Sequence, residues 1–270
     1  MNPKAIADSF SREDGNSEGS EYLAKEGLFD ALDAAAKKDA KRIPPKWSDL
    51  ARLHRAIRTR KVFTVLEFGV GFSTVVMADA LKKNRDEWDS APVKPNVRSS
   101  TPFQLHSVDT SSDFLERTRS MLPAHLKDIA TLHFSAATAG TFAGRCCHYY
   151  ETVPDVVPDF IYLDGPDPSD VAGGVGGLTW RNAERVVTSG DILRMEPQLL
   201  PGTLALVDGR TSNARFIAAN LYRSWSVDRA SSGDITVFEL QEAPLGSANS
   251  QRLLYCLGQR ALEWTEPLGS

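Results

Sequence analysis

The sequence has few cysteines, no long apolar run and no excess of positive charge, and each shortage removes a class of function. Cys146, Cys147 and Cys256 are odd in number and two are adjacent, a spacing that suits neither a disulfide framework nor a zinc site. A reducing, cytoplasmic setting is expected. No stretch approaches the roughly 20 consecutive apolar residues of a membrane-spanning helix, and residues 1–20 lack the apolar core of a signal peptide. The formal net charge is -4, so no bulk positive field draws the chain to nucleic acid or to an anionic membrane. The five histidines are scattered, without H-x-x-x-H spacing for a metal. What the 270 residues do hold is 41% hydrophobic content, enough for a sizeable core in one main domain.

The organising stretch is V-F-T-V-L-E-F-G-V-G-F-S-T at 62–74, an apolar strand that ends in an acid and breaks into glycines before a helix. Gly69 and Gly71 permit backbone angles that a side chain forbids and let a ligand approach the main chain. Ser73 or Thr74 caps the helix through Val75, Val76, Met77, Ala80 and Leu81, whose first N–H groups are free for a ligand. Residues 1–20 hold too few apolar groups to offset the entropy of ordering and read as a mobile tail. Leu28, Phe29, Leu32 and Ala36 are spaced for a helix within 21–41, and Leu50, Leu53 and Ile57 for a second after Pro44 and Pro45. The basic run Arg55, Arg58, Arg60 and Lys61 reads as a solvated face.

Downstream, 82–101 reads as an inserted loop, and 104–109, 131–135, 159–164 and 203–208 as four more strands. Thr110 and Asp113 have capping-box spacing ahead of a helix with an inner stripe of Phe114, Thr118, Met121 and Leu122. Phe160 and Tyr162 read as packing. Strands alternating with helices imply an α/β fold: a doubly wound, Rossmann-like sheet, mostly parallel, with helices on both faces. W-S-V-D-R and D-I-T-V-F-E-L lie close enough for a hairpin, so the last strand should run antiparallel. The main domain is expected over 62–240, after N-terminal helices at 21–61 and before an extension at 241–270.

Four of the strands end in an acid, namely Glu67, Asp109, Asp164 and Asp208. In an open parallel sheet all four emerge at the carboxyl edge, where ligands bind. A single Asp there is usually a turn former. Four together make a rim that suits positive charge and ribose hydroxyls and repels the pyrophosphate of a dinucleotide. The G-x-G-x-x-G of nicotinamide sites would also need Gly or Ala at Thr74. S-adenosylmethionine carries a sulfonium, an ammonium and a ribose diol.

E-F-G-V-G-F-S-T, H-S-V-D, F-I-Y-L-D-G-P and L-A-L-V-D-G resemble, in order, the motifs of class I S-adenosylmethionine-dependent methyltransferases. The match looks best to the small-molecule O-methyltransferase branch, where Ser commonly replaces the third glycine. The resemblance covers about 62–240 and implies methyl transfer to a hydroxyl of a small molecule or sugar; G-P-D-P after the fourth strand is not the D-P-P-Y type of motif of amino-methylating nucleic acid enzymes, and with the acidic charge this argues against DNA or RNA as substrate. It implies that Glu67, the Gly69–Ser73 backbone and Thr74 hold the methionine end, Asp109 the ribose, and Ser135 the adenine, with Asp164 nearby. In metal-dependent relatives the ligands come from the ends of the fourth and fifth strands, here Asp164 and Asp208, and Asp167 or Asn213 would complete an oxygen site for Mg2+. Gly209 stands where Asn or Asp usually follows. Without a metal, Arg210 would orient an anionic substrate, and His148 or Asp164 would act as base. The Gly-rich 165–188 reads as a lid that grips with Trp180 and Arg181. The alternative is a methyltransferase-like protein that binds cofactor or a protein partner without catalysis.

Overall fold

The computed structural model describes residues 1–9, 15–38, 44–182, 184–186, 188–230 and 235–264. Helices α1 (Pro3–Ala7), α2 (Gly15–Lys25), α3 (Phe29–Lys38) and α4 (Trp47–Thr59) lead into β1 (Thr64–Phe68) and α5 (Phe72–Ser90). Then come β2 (Gln104–Asp109), α6 (Ser112–Met121), β3 (Ala130–Phe134), β4 (Ala137–Phe142) and β5 (Arg145–Tyr150). The chain continues through β6 (Phe160–Leu163), β7 (Val171–Ala172), α7 (Asp191–Met195), β8 (Leu204–Val207) and α8 (Thr211–Ala218). It ends with β9 (Trp225–Arg229), β10 (Thr236–Leu240) and α9 (Gly246–Leu257).

Seven of the described strands form one sheet in the order β3-β2-β1-β6-β8-β10-β9. The first five lie parallel, and β10 runs antiparallel to both its neighbours. The fold is the expected Rossmann-like one. Strands β1, β6 and β8 are buried along their whole length, as befits parallel strands covered on both faces. Alternate residues feed two cores: Val65, Phe160 and Leu204 pack with α4 and α5, and Leu66, Phe68, Ile161 and Leu163 pack with Ile192 and Ile217. Because the chain runs outward from β1 to β3 and returns to β6 on the other side, strand order reverses between β1 and β6. A crevice opens there at the carboxyl edge.

Several expectations give way. Of the tail expected over 1–20, residues 10–14 lie outside the described residues, and the rest is mostly helical: α2 begins at Gly15, and α1 docks on β9 and β10 with Ile6 fully buried, a contact that brings ~1.5–3 kcal/mol to a segment with little local signal. The helix expected within 21–41 is two helices, broken at Gly27 (φ 80). α5 runs on to Ser90, so the inserted loop is shorter. Ser111, not Thr110, caps α6, and Phe114 is exposed while Leu115 and Thr118 face inward. The basic run is not a free face, since buried Arg60 pairs with buried Glu239 at 2.6 Å. β4, β5 and β7 form a second, three-stranded sheet without counterpart in the sequence reading.

Candidate functional site

The site begins at the turn after β1. At Gly69 (φ 108) a Cβ would stand 3.2 Å from the Gly165 nitrogen, so glycine is what lets the turns after β1 and β6 touch. Glu67 lies fully buried behind the turn. Its carboxylate accepts hydrogen bonds from the hydroxyls of Ser73, Thr74 (2.7 Å) and Ser107 (2.6 Å), and the Thr74 oxygen accepts the Gly71 N–H at 3.0 Å. One side chain thus ties β1, β2 and the first turn of α5. Burial pushes the Glu67 pKa up to about 7 against the pull of the three hydroxyls.

In front of the turn lies a cleft of about 480 Å³, within the usual size of small-molecule sites. Gly69, Gly71 and Ser73 form one wall, and Asp109, Thr110 and Phe114 continue it from β2 into α6. Asp164, Pro166 and Asp170 after β6, and Asp208 and Arg210 after β8, line it as well. Lys46 and Asp49, at the start of α4, complete the charged lining. Asp109 accepts the Ser111 N–H at 2.7 Å; burial raises its pKa despite that bond and another from the Val70 N–H. Asp164 and Asp208 follow paired residues, Leu163 and Val207, on neighbouring strands. Burial, then the charges of Asp49 and Asp164, push the Asp208 pKa up to about 7. The Tyr162 hydroxyl donates to Asp208 Oδ2 at 2.8 Å. Burial also raises the Asp164 pKa, with Arg210 opposing and Asp49 adding. Arg210 Nη1 donates to the Pro166 carbonyl at 2.6 Å, and Asp49 is held by Arg52 Nη1 at 2.6 Å.

The cleft therefore gathers Gly69, Gly71, Ser73, Asp109, Asp164, Asp167, Asp208 and Arg210 from the sequence candidates. Glu67 and Thr74 stand one layer behind it. Ser135 lies outside: its Oγ accepts the Thr152 N–H at 2.9 Å and donates to the Ala136 carbonyl. His148 is buried on β5, and desolvation and the Arg210 charge push its pKa down to about 3, so it does not face the cleft as a base. Asn213 Oδ1 is taken by the Ser189 N–H at 2.8 Å, and Asp167 Oδ1 by the Ser169 N–H and hydroxyl. Asn213 has thus spent its one candidate donor oxygen, whereas Asp167 lines the cleft with Oδ1 held by Ser169. Among the described residues no group of three or more His, Cys, Asp or Glu is arranged to hold an ion. Trp180 does not grip the cleft either; it packs with Ala137 and Val171 and donates to the Val186 carbonyl at 3.2 Å. Sequence reasoning missed Lys46, Asp49, Phe114, Tyr162 and Asp170 as cleft residues. Only Tyr162 carried a signal, two positions before an acid at a strand end, where alternation turns both to one face.

Scanned against protein-family models and curated proteins, the sequence matches none. Solved structures do align with it. The O-methyltransferase TomG from Streptomyces achromogenes, in complex with S-adenosylmethionine, is 13% identical over 89% of this chain and 99% of that one, with a TM-score of 0.39. An O-methyltransferase from Bacillus cereus, in complex with S-adenosylhomocysteine, is 16% identical over 82% and 89%, TM-score 0.42. The S-adenosylhomocysteine-bound Podospora anserina methyltransferase is 15% identical over 85% and 96%, TM-score 0.48. At such identities and scores the chemistry rests on this chain's own residues.

Proposed function

We propose that the chain is an S-adenosylmethionine-dependent methyltransferase acting on a hydroxyl of a small molecule or sugar. One observation carries the reading: a glycine turn, the N-terminus of α5 and the strand-end acids Asp109, Asp164 and Asp208 converge on a single cleft. Gly71 has open space where a Cβ would stand, which leaves room for a carboxylate at the helix N-terminus. Asp109 would accept from the ribose diol, and Asp164 would face the sulfonium across the cleft. When bound, the cofactor supplies an electrophilic methyl carbon on a positively charged sulfur.

Transfer needs the acceptor oxygen behind that carbon and a destination for the hydroxyl proton. Asp208 is the base this cleft offers, since its pKa near 7 suits proton uptake at neutral pH. Tyr162 holds Oδ2, which leaves Oδ1 for the acceptor. Arg210, tied to the Pro166 carbonyl, would steady the wall beside Asp164. The oxygen donors for Mg2+ are incomplete, so no step runs through an ion.

Labelled methyl transfer from S-adenosylmethionine to a panel of phenols and sugars tests the reading. Transfer to a hydroxyl is expected, with a loss of roughly 10²–10⁴-fold in Asp208→Asn while cofactor binding persists. Binding without transfer to any acceptor would favour the non-catalytic alternative.

A further inference from the structure

The hydroxyls of Ser73, Thr110 and Tyr162, all in the lining of the cleft, spend their protons on carboxylates. Ser73 donates to Glu67, Thr110 to Asp170 Oδ2 at 2.8 Å and Tyr162 to Asp208 Oδ2 at 2.8 Å. The lining itself carries six carboxylates, on Asp49, Asp109, Asp164, Asp167, Asp170 and Asp208, against two cations, on Lys46 and Arg210. Both cations are already engaged. Lys46 Nζ stands 3.9 Å from Asp49 Oδ2, while Arg210 gives an Nη1 proton to the Pro166 carbonyl at 2.6 Å and its charge favours the ionised form of Asp164. Arg52, behind the wall, is bonded to Asp49 at 2.6 Å. Among the described residues no hydrogen bond or ion pair reaches the Asp164 carboxylate, and Asp208 Oδ1 and Asp170 Oδ1 are likewise unspent. An ionised carboxylate only accepts hydrogen bonds. The surface left to a ligand is therefore negative and short of donors.

We propose that the methyl acceptor is cationic: a hydroxylated small molecule that carries an ammonium group, such as an amino sugar or a phenolic amine. The inference rests on the S-adenosylmethionine reading for the transfer, and on the charge of the lining alone for the class of acceptor. S-adenosylmethionine brings a sulfonium and an ammonium against one carboxylate, a single net positive charge, so the cleft stays negative with the cofactor in place. This holds even with Asp208 half protonated near its pKa of about 7. The low-dielectric walls of a cleft focus such a field on whatever enters. An ammonium supplies a positive charge and donors for the unspent carboxylate oxygens, whereas an acidic acceptor meets repulsion with both cations of the lining engaged. Selection then works by repulsion as much as by attraction. It runs against the anionic substrate that Arg210 was expected to orient.

Calorimetric titration of the full chain, saturated with S-adenosylhomocysteine, tests this with two series of matched shape: glucosamine, glucose and glucuronic acid, and tyramine, 4-hydroxyphenethyl alcohol and 4-hydroxyphenylacetate. The amine should bind at least about ten-fold more tightly than the acid in one series or both, with the neutral member between them. That gap should narrow between about 50 mM and about 500 mM salt. Asp49→Asn should reduce the ratio of amine to acid affinity by at least about two-fold, and so should Asp167→Asn, whose amide oxygen can still accept from Ser169. Thermal midpoints equal to the wild type show that the variants fold, and one folded variant suffices. Equal affinities, a preference for the acid, no binding by any member, a gap that salt leaves unchanged or a ratio that survives in the folded variants overturns the proposal. If S-adenosylhomocysteine does not bind, the methyltransferase reading falls and takes the acceptor with it. If it binds and the amine is not preferred, only the acceptor class falls.

Discussion

Replacing Glu67 by Gln probes the keystone of the turn. The carboxyl is fully buried beneath three hydroxyl donors, and its pKa is raised from 4.5 to about 7. A group with a raised folded-state pKa keeps its proton in the native state after the unfolded chain has lost it. Its contribution is therefore most favourable below the unfolded pKa, declines as pH rises toward 7 and is level above. At 1.36 kcal/mol per unit, the decline comes to roughly 3 kcal/mol. Gln does not titrate, so the difference in unfolding free energy between wild type and Glu67→Gln isolates this group from Asp191 and Asp208, raised to about 6 and about 7. Urea unfolding at steps from about pH 4.5 to about pH 8 measures that difference. It should move by roughly 3 kcal/mol in favour of the variant as pH rises. A difference that stays flat within about 0.5 kcal/mol would mean that the hydroxyls fully offset burial, and the argument for Glu67 would be refuted.

Three further outcomes follow from the same geometry. Asp109→Ala should abolish S-adenosylhomocysteine binding by calorimetry while costing only about 1 kcal/mol of stability for the lost bond to the Ser111 N–H. Methyl transfer should rise with pH through about 7 as Asp208 loses its proton; Tyr162→Phe removes a bond that lowers that pKa, so the rising limb of the rate profile should move to higher pH. Glu239→Ala leaves Arg60, 3% exposed, without its carboxylate partner, and equilibrium unfolding should show a loss of roughly 3–5 kcal/mol.

The sheet and half of the cleft are legible in the sequence for a local reason. β6 and β8 are continuous apolar runs and β1 is apolar but for Thr64 and Glu67, and the acids at or after the strand ends mark where the chain leaves the sheet. What escaped is set by contacts between distant segments. α1 is too short to hold itself as a helix and owes its place to Ile6 on β9 and β10. The β4–β5 hairpin turns at Ala143 and Gly144, both at positive φ, and Ala-Gly is a weaker turn signal than Asn-Gly or Asp-Gly. Asp49 sits on the polar side of an amphipathic helix, where an acid ordinarily means solvent, and only the packing of α4 brings it to the cleft. Ser135 was a reasonable candidate by position at the end of β3, but a hydroxyl there serves the loop to Thr152 just as well.

The claim that the cleft holds S-adenosylmethionine is tested most directly by thermal melts with S-adenosylmethionine, S-adenosylhomocysteine and NAD. A ligand at about 100 times its dissociation constant adds ≈ 2.7 kcal/mol, which should raise the midpoint by several degrees. The account predicts such a rise with both adenosyl ligands and none with NAD. No rise with the adenosyl ligands, or a rise with NAD, would contradict it.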